Sequence, residues 1–373
     1  MADKIKVAVV FGGKTSEHIG SVESALYVLA YMDCSKYDIH AVYIKEDGKP
    51  STPEEFIELI PKFLNNPEIS IFDENEKMPR GFLEKLKTFS LFNSHSQINK
   101  SDFYDNILSH KYHIVFPVMH GKYGEDGSIQ GLLEFLDVPY AGCGILGSAI
   151  GLDKEIAKRV CMTHGIPVVD FDVIRKSDWI KDKNNCIDRI EKKLSYPNFI
   201  KPSNLGSSIG VAMAKNRDQF ILSVESGLEL DNKLLIEKAL NISEYGIGIL
   251  EGDDIKISLP AKYNCCNEFL DYDAKFGSNA LEDDIPAKLS TEGITRLKEM
   301  AGNICLALQL EGFSRIDIFI DDKENFYFNE VNTMPGFGAH SVFAKMWEVS
   351  GLNISELLDQ MVKTALNRNR GGK

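Results

Sequence analysis

The stretch SRIDIFIDDKENFYFNEVNTMPG, residues 314–336, constrains the fold more than any other part of the chain. Apolar and polar residues alternate over 314–320 and again over 326–332, with a polar turn between, which is the pattern of an antiparallel hairpin. Residue 317 then lies roughly opposite 329 or 330. Glu330 and Asn332, two apart, share one strand face; Asp317 meets them across the pair, with Arg315 on its own face. One polar side chain on a hairpin ordinarily faces water. Two carboxylates and an amide oxygen turned inward beside apolar neighbours are instead hard ligands suited to Mg²⁺, which takes one or two carboxylates together with substrate phosphates.

Upstream, KIKVAVVFGG, YDIHAVYIKEDG and YHIVFPVMHG read as strands separated by helical patterns, which predicts a parallel sheet with crossover helices. Residues 49–110, with scattered Pro, Asn and Lys, read as a variable insertion with little chemistry. Next, GSIQGLLEFLDVPYAGCGILGSAIGLDKEIAKRVCMTHGIP predicts a helix, a short strand, a Gly-rich turn and a helix ending at Gly165 and Pro167. YPNFIKPSNLGSSIGVAMAKN reads as two strands around a Gly/Ser loop, and KLLIEKALNISEYGIGILEG as a strand, a connector and a strand. A loop at 264–290, a helix at 291–310 and a closing helix near 352–368 complete the pattern. At 373 residues the chain exceeds what one core serves. Boundaries near 150 and 236 divide it into 1–149, 150–236 and 237–373.

The net charge of −13 disfavours a nucleic acid as the main ligand. No apolar run approaches the eighteen residues that span a bilayer, and the one after MADKIK is too short for a signal peptide. The seven cysteines are an odd number without a C-x-x-C pair, so neither a disulfide framework nor a zinc site is suggested. The chain reads as cytoplasmic.

FGGKTSEH, residues 11–18, contains Gly-Lys-Thr, the end of a phosphate loop. A full loop needs a glycine five residues before Gly13, where Ala8 stands, and G-x-G-x-x-G is absent as well. The stretch therefore reads as a tight turn into a helix, with Glu17 and His18 at the mouth where an α/β sheet binds small ligands. KPSNLGSSIG sets Lys201 at a strand end before a loop whose Gly206, Ser207, Ser208 and Gly210 can offer N–H groups to a phosphate, although Gly/Ser hairpin loops are common without one. Lys154, opening a helix after GLD, alone reads as a surface lysine. HGKYGEDGSIQG packs His120, Glu125 and Asp126 among four glycines; a capped helix start accounts for Asp126, but not for the glycines together with His120.

In order, HGKYGEDGSIQGLLE, GSAIGLDK, KPSNLGSSIGV, DYDAKF, SRIDIFI and NEVNTMPGFGAHS resemble the D-alanine–D-alanine ligases of the ATP-grasp superfamily. FGGKTSEHIGSVESA resembles their N-terminal motif, so the similarity covers nearly the whole chain apart from about 49–110. The resemblance implies an α/β protein of three-domain ATP-grasp architecture: an N-terminal parallel-sheet domain, with ATP between central and C-terminal α+β domains. It implies ligation of two D-alanines for peptidoglycan through an acyl phosphate, with ATP as co-substrate, and a homodimer formed through the N-terminal domain. Lys154, Lys201 and the Ser208 loop would contact the ATP phosphates, Glu237 and Glu244 the adenine and ribose end, and Lys275 the γ-phosphate. Asp317, Glu330 and Asn332 would hold two Mg²⁺ ions, or Mn²⁺ in their place. Arg315 and the Gly336 N–H would stabilise the oxyanion. Glu17 would bind the first substrate's ammonium, His120 would sit by its carboxylate, Ser207 would link the loop to Glu17, and Ser341 would contact the second substrate's carboxylate.

Three positions qualify the resemblance. NISE, ending in Glu244, replaces a small loop that usually carries Arg before that glutamate, which bears on the Glu244 assignment. Phe276 stands in AKF where the family commonly has AKY, so the hydroxyl that completes a link with the Glu17 and Ser207 positions is missing. Val342 follows Ser341 where resistance-type ligases tend to place Arg, which favours D-alanine over D-serine or D-lactate as acceptor. Two rivals of other classes are a Rossmann oxidoreductase, opposed by the missing glycine fingerprint, and a non-catalytic nucleotide-binding protein, which has no use for Arg315 and Lys275 beside three metal ligands.

Overall fold

In the computed structural model of the chain, residues 4–66, 82, 86, 112–252, 254–264, 282–338 and 341–368 are described. They form three sheets. The first is built from β1 (Ile5–Gly12), β2 (Tyr37–Ile44) and β3 (Ile114–Val118), in the order β2-β1-β3 with both pairings parallel, as the helix-separated strands predict. β1 is apolar without alternation because both its faces are covered. Val7, Val9 and Phe11 enter the core shared with α1 (His18–Tyr31), while Ala8 and Val10 pack on the other face with Leu133 and Tyr140. Within the 49–110 stretch, α2 (Pro53–Leu64) is held by a capping box between Thr52 and Glu55.

After α3 (Ser128–Phe135), the short strand expected in VPYAG is a single parallel bridge between Val115 and Tyr140. The helix expected to run on to Gly165 is two, α4 (Ile145–Leu152) and α5 (Lys154–Thr163). They break at Asp153, whose extended backbone lets its carboxylate accept from Ile156 N, Ser203 Oγ and Lys233 Nζ. Capping by Asp at a helix start is worth roughly 1 kcal/mol, and an ion pair reinforces it here.

The second sheet comprises β4 (Phe171–Arg175), β5 (Asn198–Pro202), β6 (Ala212–Ala214) and β7 (Lys233–Lys238), in the order β4-β7-β5-β6 with all pairings antiparallel. Three helices, α6 (Lys176–Lys181), α7 (Lys183–Leu194) and α8 (Arg217–Leu230), bury Trp179, Ile187, Ile190, Phe220 and Val224 against it. The change of sheet falls at 239–241, between β7 and the next strand.

The third sheet comprises β8 (Ile242–Leu250), β9 (Lys256–Ile257), β10 (Ala261–Lys262), β11 (Phe313–Asp321) and β12 (Phe326–Asn332). The predicted hairpin is β11–β12, with Asp317 opposite Glu330 and Arg315 opposite Asn332, and a bulge that leaves Asn329 as the extra residue. β11 is also paired with β8 along its whole length, so the hairpin lies inside a sheet, and this is why Asp317 is wholly buried. α9 (Thr291–Ala307) packs on this sheet, joined by Ala157 and Cys161 of α5. The closing helix is α11 (Ile354–Asn367), and a preceding α10 (Val342–Val349) was not foreseen. Phe343, Trp347, Leu357 and Met361 from these helices enter the core beneath the first sheet. That burial holds the mouth of β1 against the hairpin.

Candidate active site

In the turn after β1 both glycine amides are already committed. Gly12 N donates to Ser21 Oγ at 2.7 Å and Gly13 N to Ile44 O at 2.7 Å. Both glycines have φ in the left-handed region, and a Cβ at Gly12 would lie 2.2 Å from Ile44 O. His18 is buried in the same turn, between Gly13 O at 2.8 Å and Tyr43 Oη at 2.9 Å, so it braces the turn. Lys14 points out to solvent. What the turn presents is Glu17. Its carboxylate lies against Gly121 and Gly206, where a Cβ would come within 2.6 and 3.0 Å of Glu17 Oε1. Ser207 Oγ donates to Glu17 Oε2 at 2.6 Å. Ser207 and Ser208 are both left-handed, at φ 52° and 56°, a cost of roughly 1–2 kcal/mol each that the charge-assisted bond to Glu17 partly offsets.

His120 is buried at the end of β3, with Nδ1 2.9 Å from Met334 O and Nε2 2.9 Å from Ser24 Oγ. A carbonyl can only accept, so Nδ1 carries the proton and Nε2 accepts from the Ser24 hydroxyl. Burial, which pushes the imidazole below its ordinary value, favours this neutral form. Ser24 Oγ in turn accepts from Phe337 N at 3.0 Å, and Gly336 approaches both Ser24 and His120. Ser341 Oγ donates back to Gly336 O. Glu125 accepts from Gly121 N at 2.7 Å and Met334 N at 3.1 Å. Its own burial, then the negative charge of Glu17, raise its carboxyl to about 8. Turned so that its nitrogen meets acceptors, the Asn332 amide donates to Glu125 Oε1 at 2.7 Å.

Asp317, Glu330 and Glu244 each bring one carboxylate oxygen within 4.8 Å of the others. Three like charges this close repel unless cations or donors stand between them. Lys154 Nζ is 3.0 Å from Glu330 Oε2, and Arg315 grips Asp317 with two bonds of 2.9 and 2.8 Å. Tyr263 Oη donates to Asp317 Oδ1 at 2.9 Å, and Asn329 Nδ2 to Glu244 Oε1 at 2.8 Å. The donor set is all hard oxygen, without His or Cys, which fits Mg²⁺ or Mn²⁺. The family resemblance implies the ribose end for Glu244; the fold sets it beside the two hairpin carboxylates.

Lys201 Nζ donates to Glu237 Oε2 and lies 3.5 Å from Asn329 Oδ1, while Lys154 Nζ also donates to Leu205 O at 2.7 Å. Glu237 Oε1 pairs at 2.7 Å with Lys158, which nothing in the sequence singled out. Burial opposes the charge of Glu237, but Lys158 and Lys201 together hold its carboxyl down to about 2. Burial opposes the charge of Lys201 too, yet Glu237 raises it above the ordinary lysine value; at Lys158 burial prevails over Glu237 and lowers it. Thus side chains from β5, β7, β8, β11, β12 and the start of α5 converge on one charged site, and the loop after β5 joins it to the Glu17 turn. Lys275 and Phe276 lie outside the described residues. Ser24, Tyr263, Lys158 and Asn329 were missed because their roles depend on partners distant in sequence.

Residues 6–143 match the family described as D-ala D-ala ligase N-terminus, and residues 160–363 match D-ala D-ala ligase C-terminus. A D-alanine–D-alanine ligase of Caldicellulosiruptor bescii is 38% identical over 371 residues, 99% of this chain and 97% of that protein. Among solved structures, the D-alanine–D-alanine ligase from Coxiella burnetii superposes with a TM-score of 0.76 at 26% identity, covering 98% of this chain and 95% of its own. The VanG D-Ala:D-Ser ligase from Enterococcus faecalis gives 0.75 at 28% identity, covering 97% of this chain and 100% of its own.

Proposed function

The chain belongs to the D-alanine–D-alanine ligase family, with its α/β ATP-grasp fold, and from that premise we propose how its own residues join two D-alanines with ATP for peptidoglycan synthesis. The observation that carries this reading is one chain of contacts: Lys154 pairs with Glu330 of the Asp317, Glu330 and Glu244 cluster and donates to Leu205 O, in the loop whose Ser207 donates to Glu17. Its domains are 1–149 for substrate and 150–236 and 237–373 for nucleotide. Glu17 holds the ammonium of the first D-alanine. His120, neutral and locked by Ser24 and Met334 O, flanks its carboxylate.

A carboxylate is a poor electrophile, so one of its oxygens first takes the γ-phosphoryl group and ADP leaves. Lys154, Lys201, the Ser208 loop and Lys275 orient the phosphates for this transfer, with Glu237 and Glu244 toward the adenine and ribose. Asp317, Glu330 and Asn332 would hold two divalent cations, Mg²⁺ or Mn²⁺, whose charge would neutralise the phosphoryl oxygens. The amine of the second D-alanine, its carboxylate on Ser341, attacks the acyl carbon; phosphate departs and the amine loses a proton. Arg315 and the Gly336 N–H donate to the oxyanion, each worth roughly 3 kcal/mol in the barrier.

Phosphate release from ATP should require D-alanine and yield D-alanyl-D-alanine one for one. Release independent of D-alanine, or none at all, would overturn the reading. Similarity to a D-Ala:D-Ser ligase favours one alternative, the same chemistry with D-serine, or by extension D-lactate, as acceptor. Such a reaction, which consumes ATP, fits the cytoplasm; no helix among the described residues is long and apolar enough to cross a membrane. Phe135, 86% exposed on α3 beside the half-buried Leu132 and Leu136, supports a homodimer through the N-terminal domain.

A further inference from the structure

α5 places Lys154 and Lys158 one turn apart on the same face. Lys154 is the expected phosphate contact; Lys158 is wholly buried beneath it. Its ammonium pairs with Glu237 Oε1 at 2.7 Å on β7, donates to Phe328 O at 3.1 Å on β12, and lies 5.7 Å from the centre of the Phe328 ring. One side chain therefore ties the second sheet to the third at the floor of the cleft between them. An apolar residue of this length would be the cheaper way to fill the space, since burying an ion pair gains little over well-packed hydrophobic side chains.

Charge counting suggests what the lysine adds. Glu237 carries one negative charge and meets two ammonium groups, Lys158 on Oε1 and Lys201 on Oε2. With Lys158 present, the group Lys158–Glu237–Lys201 keeps one net positive charge, and Lys201 lies on its cleft side, reaching Asn329 of β12. Without it, Glu237 cancels Lys201. We propose that Lys158 is a positioning residue for ATP: it neutralises Glu237, so that the charge of Lys201 stays available to the nucleotide, and it fixes β7 to β12 below the binding cleft. This rests on the reading of the cleft as the ATP site, and it assigns a role to a residue that touches no substrate.

The test is a double-mutant cycle on the full chain, read by calorimetric titration with Mg·ATP and by steady-state kinetics. Lys158→Met keeps the stem and removes the charge; ATP binding should weaken at least tenfold while the KM for D-alanine stays within twofold. In a Glu237→Gln background, where the carboxylate that Lys158 neutralises is gone, adding Lys158→Met should cost less than threefold. ATP affinity unchanged in Lys158→Met, even with a lowered Tm, would assign the lysine to stability alone and overturn the proposal; so would an equal loss in both backgrounds. Should Lys158→Met not fold, Lys158→Gln, which keeps a donor for Phe328 O, is judged by the same two criteria. If wild type itself binds no ATP, it is the reading of the cleft that fails.

Discussion

Ser207 donates a 2.6 Å hydrogen bond to Glu17 across 190 residues of sequence, joining the loop between β5 and β6 to the turn after β1. The contact closes the far end of the cleft over the place where the first amino acid would sit. A hydrogen bond to a charged group is worth roughly 1.5–3 kcal/mol. Ser207→Ala should therefore raise the KM for the first D-alanine about ten- to a hundredfold, with the KM for ATP changed far less. Equal increases in both constants, in steady-state assays varying each substrate, would show that Ser207 acts on the nucleotide instead.

Asp317→Asn and Glu330→Gln each remove one charge from the oxygen cluster, and Asp317→Asn also frees Arg315 from its bidentate grip. Turnover should be abolished in both, with far-ultraviolet circular dichroism unchanged. Titration of Mn²⁺ into the ATP-loaded protein should show affinity lower by roughly tenfold or more, because each carboxylate is a charged ligand. Wild-type turnover at saturating Mg²⁺ would remove the hairpin from the metal site.

Lys201→Ala should raise the KM for ATP strongly, whereas Lys14→Ala should leave it unchanged. The amides of Gly12 and Gly13 are committed to Ser21 and Ile44, and Ala8 stands where a phosphate loop needs its first glycine, so Lys14 is not aimed at a phosphate. The opposite ranking of the two variants would reinstate a phosphate loop at residues 12–15.

Stability should carry the signature of Glu237. Its carboxyl falls from 4.5 to about 2 on folding. A lowered acid contributes stability that is present above its unfolded value and lost as pH falls toward its folded value. Relative to Glu237→Gln, wild type should lose about 2 kcal/mol of unfolding free energy between pH 6 and pH 3, from linkage with that shift. Urea unfolding at several pH values measures the gap; a gap constant over this range would mean that Glu237 is not ionised and paired in the folded protein.

Acceptor choice should depend on pH. An amine must be deprotonated to attack, so its share of product rises with pH while that of a hydroxy acid falls. D-alanyl-D-alanine should dominate at neutral and alkaline pH, with D-alanyl-D-lactate measurable only in mild acid. Phe276→Tyr, which restores the hydroxyl common in the family, should sharpen the selectivity, at a gain of about 0.5–1.5 kcal/mol for one hydrogen bond. Competing D-alanine, D-serine and D-lactate in both proteins would decide it. Identical selectivity, or dominant lactate or serine product at neutral pH, would refute this role for Phe276.

Much of the architecture is legible in the chain because it follows from local periodicity. Alternation over 314–320 and 326–332 places Asp317 opposite Glu330, and unbroken apolar runs separated by helical patterns demand a parallel sheet. The break between α4 and α5 was not legible, since Asp153 is drawn out of the helix by Lys233, 80 residues away. At FGGKT, Ala8 in place of a glycine already argues for a plain turn, and the partners of Gly12 and Gly13 show what their amides hold instead.

Periodicity says which face a side chain takes, but not what stands opposite once sheets pack. Sequence by itself determined the hairpin, the parallel sheet and the inward set Arg315, Asp317, Glu330 and Asn332. Tertiary structure alone decided that Glu244 joins the hairpin carboxylates, that Tyr263 donates to Asp317, that Ser24 locks His120, and that Lys158 sits between Glu237 and Phe328. Burying a charge is costly until a partner neutralises it. Such partners come from whichever strand or helix packs there, at separations of 54 residues for Tyr263 and Asp317 and 170 for Lys158 and Phe328, over which no local pattern carries information.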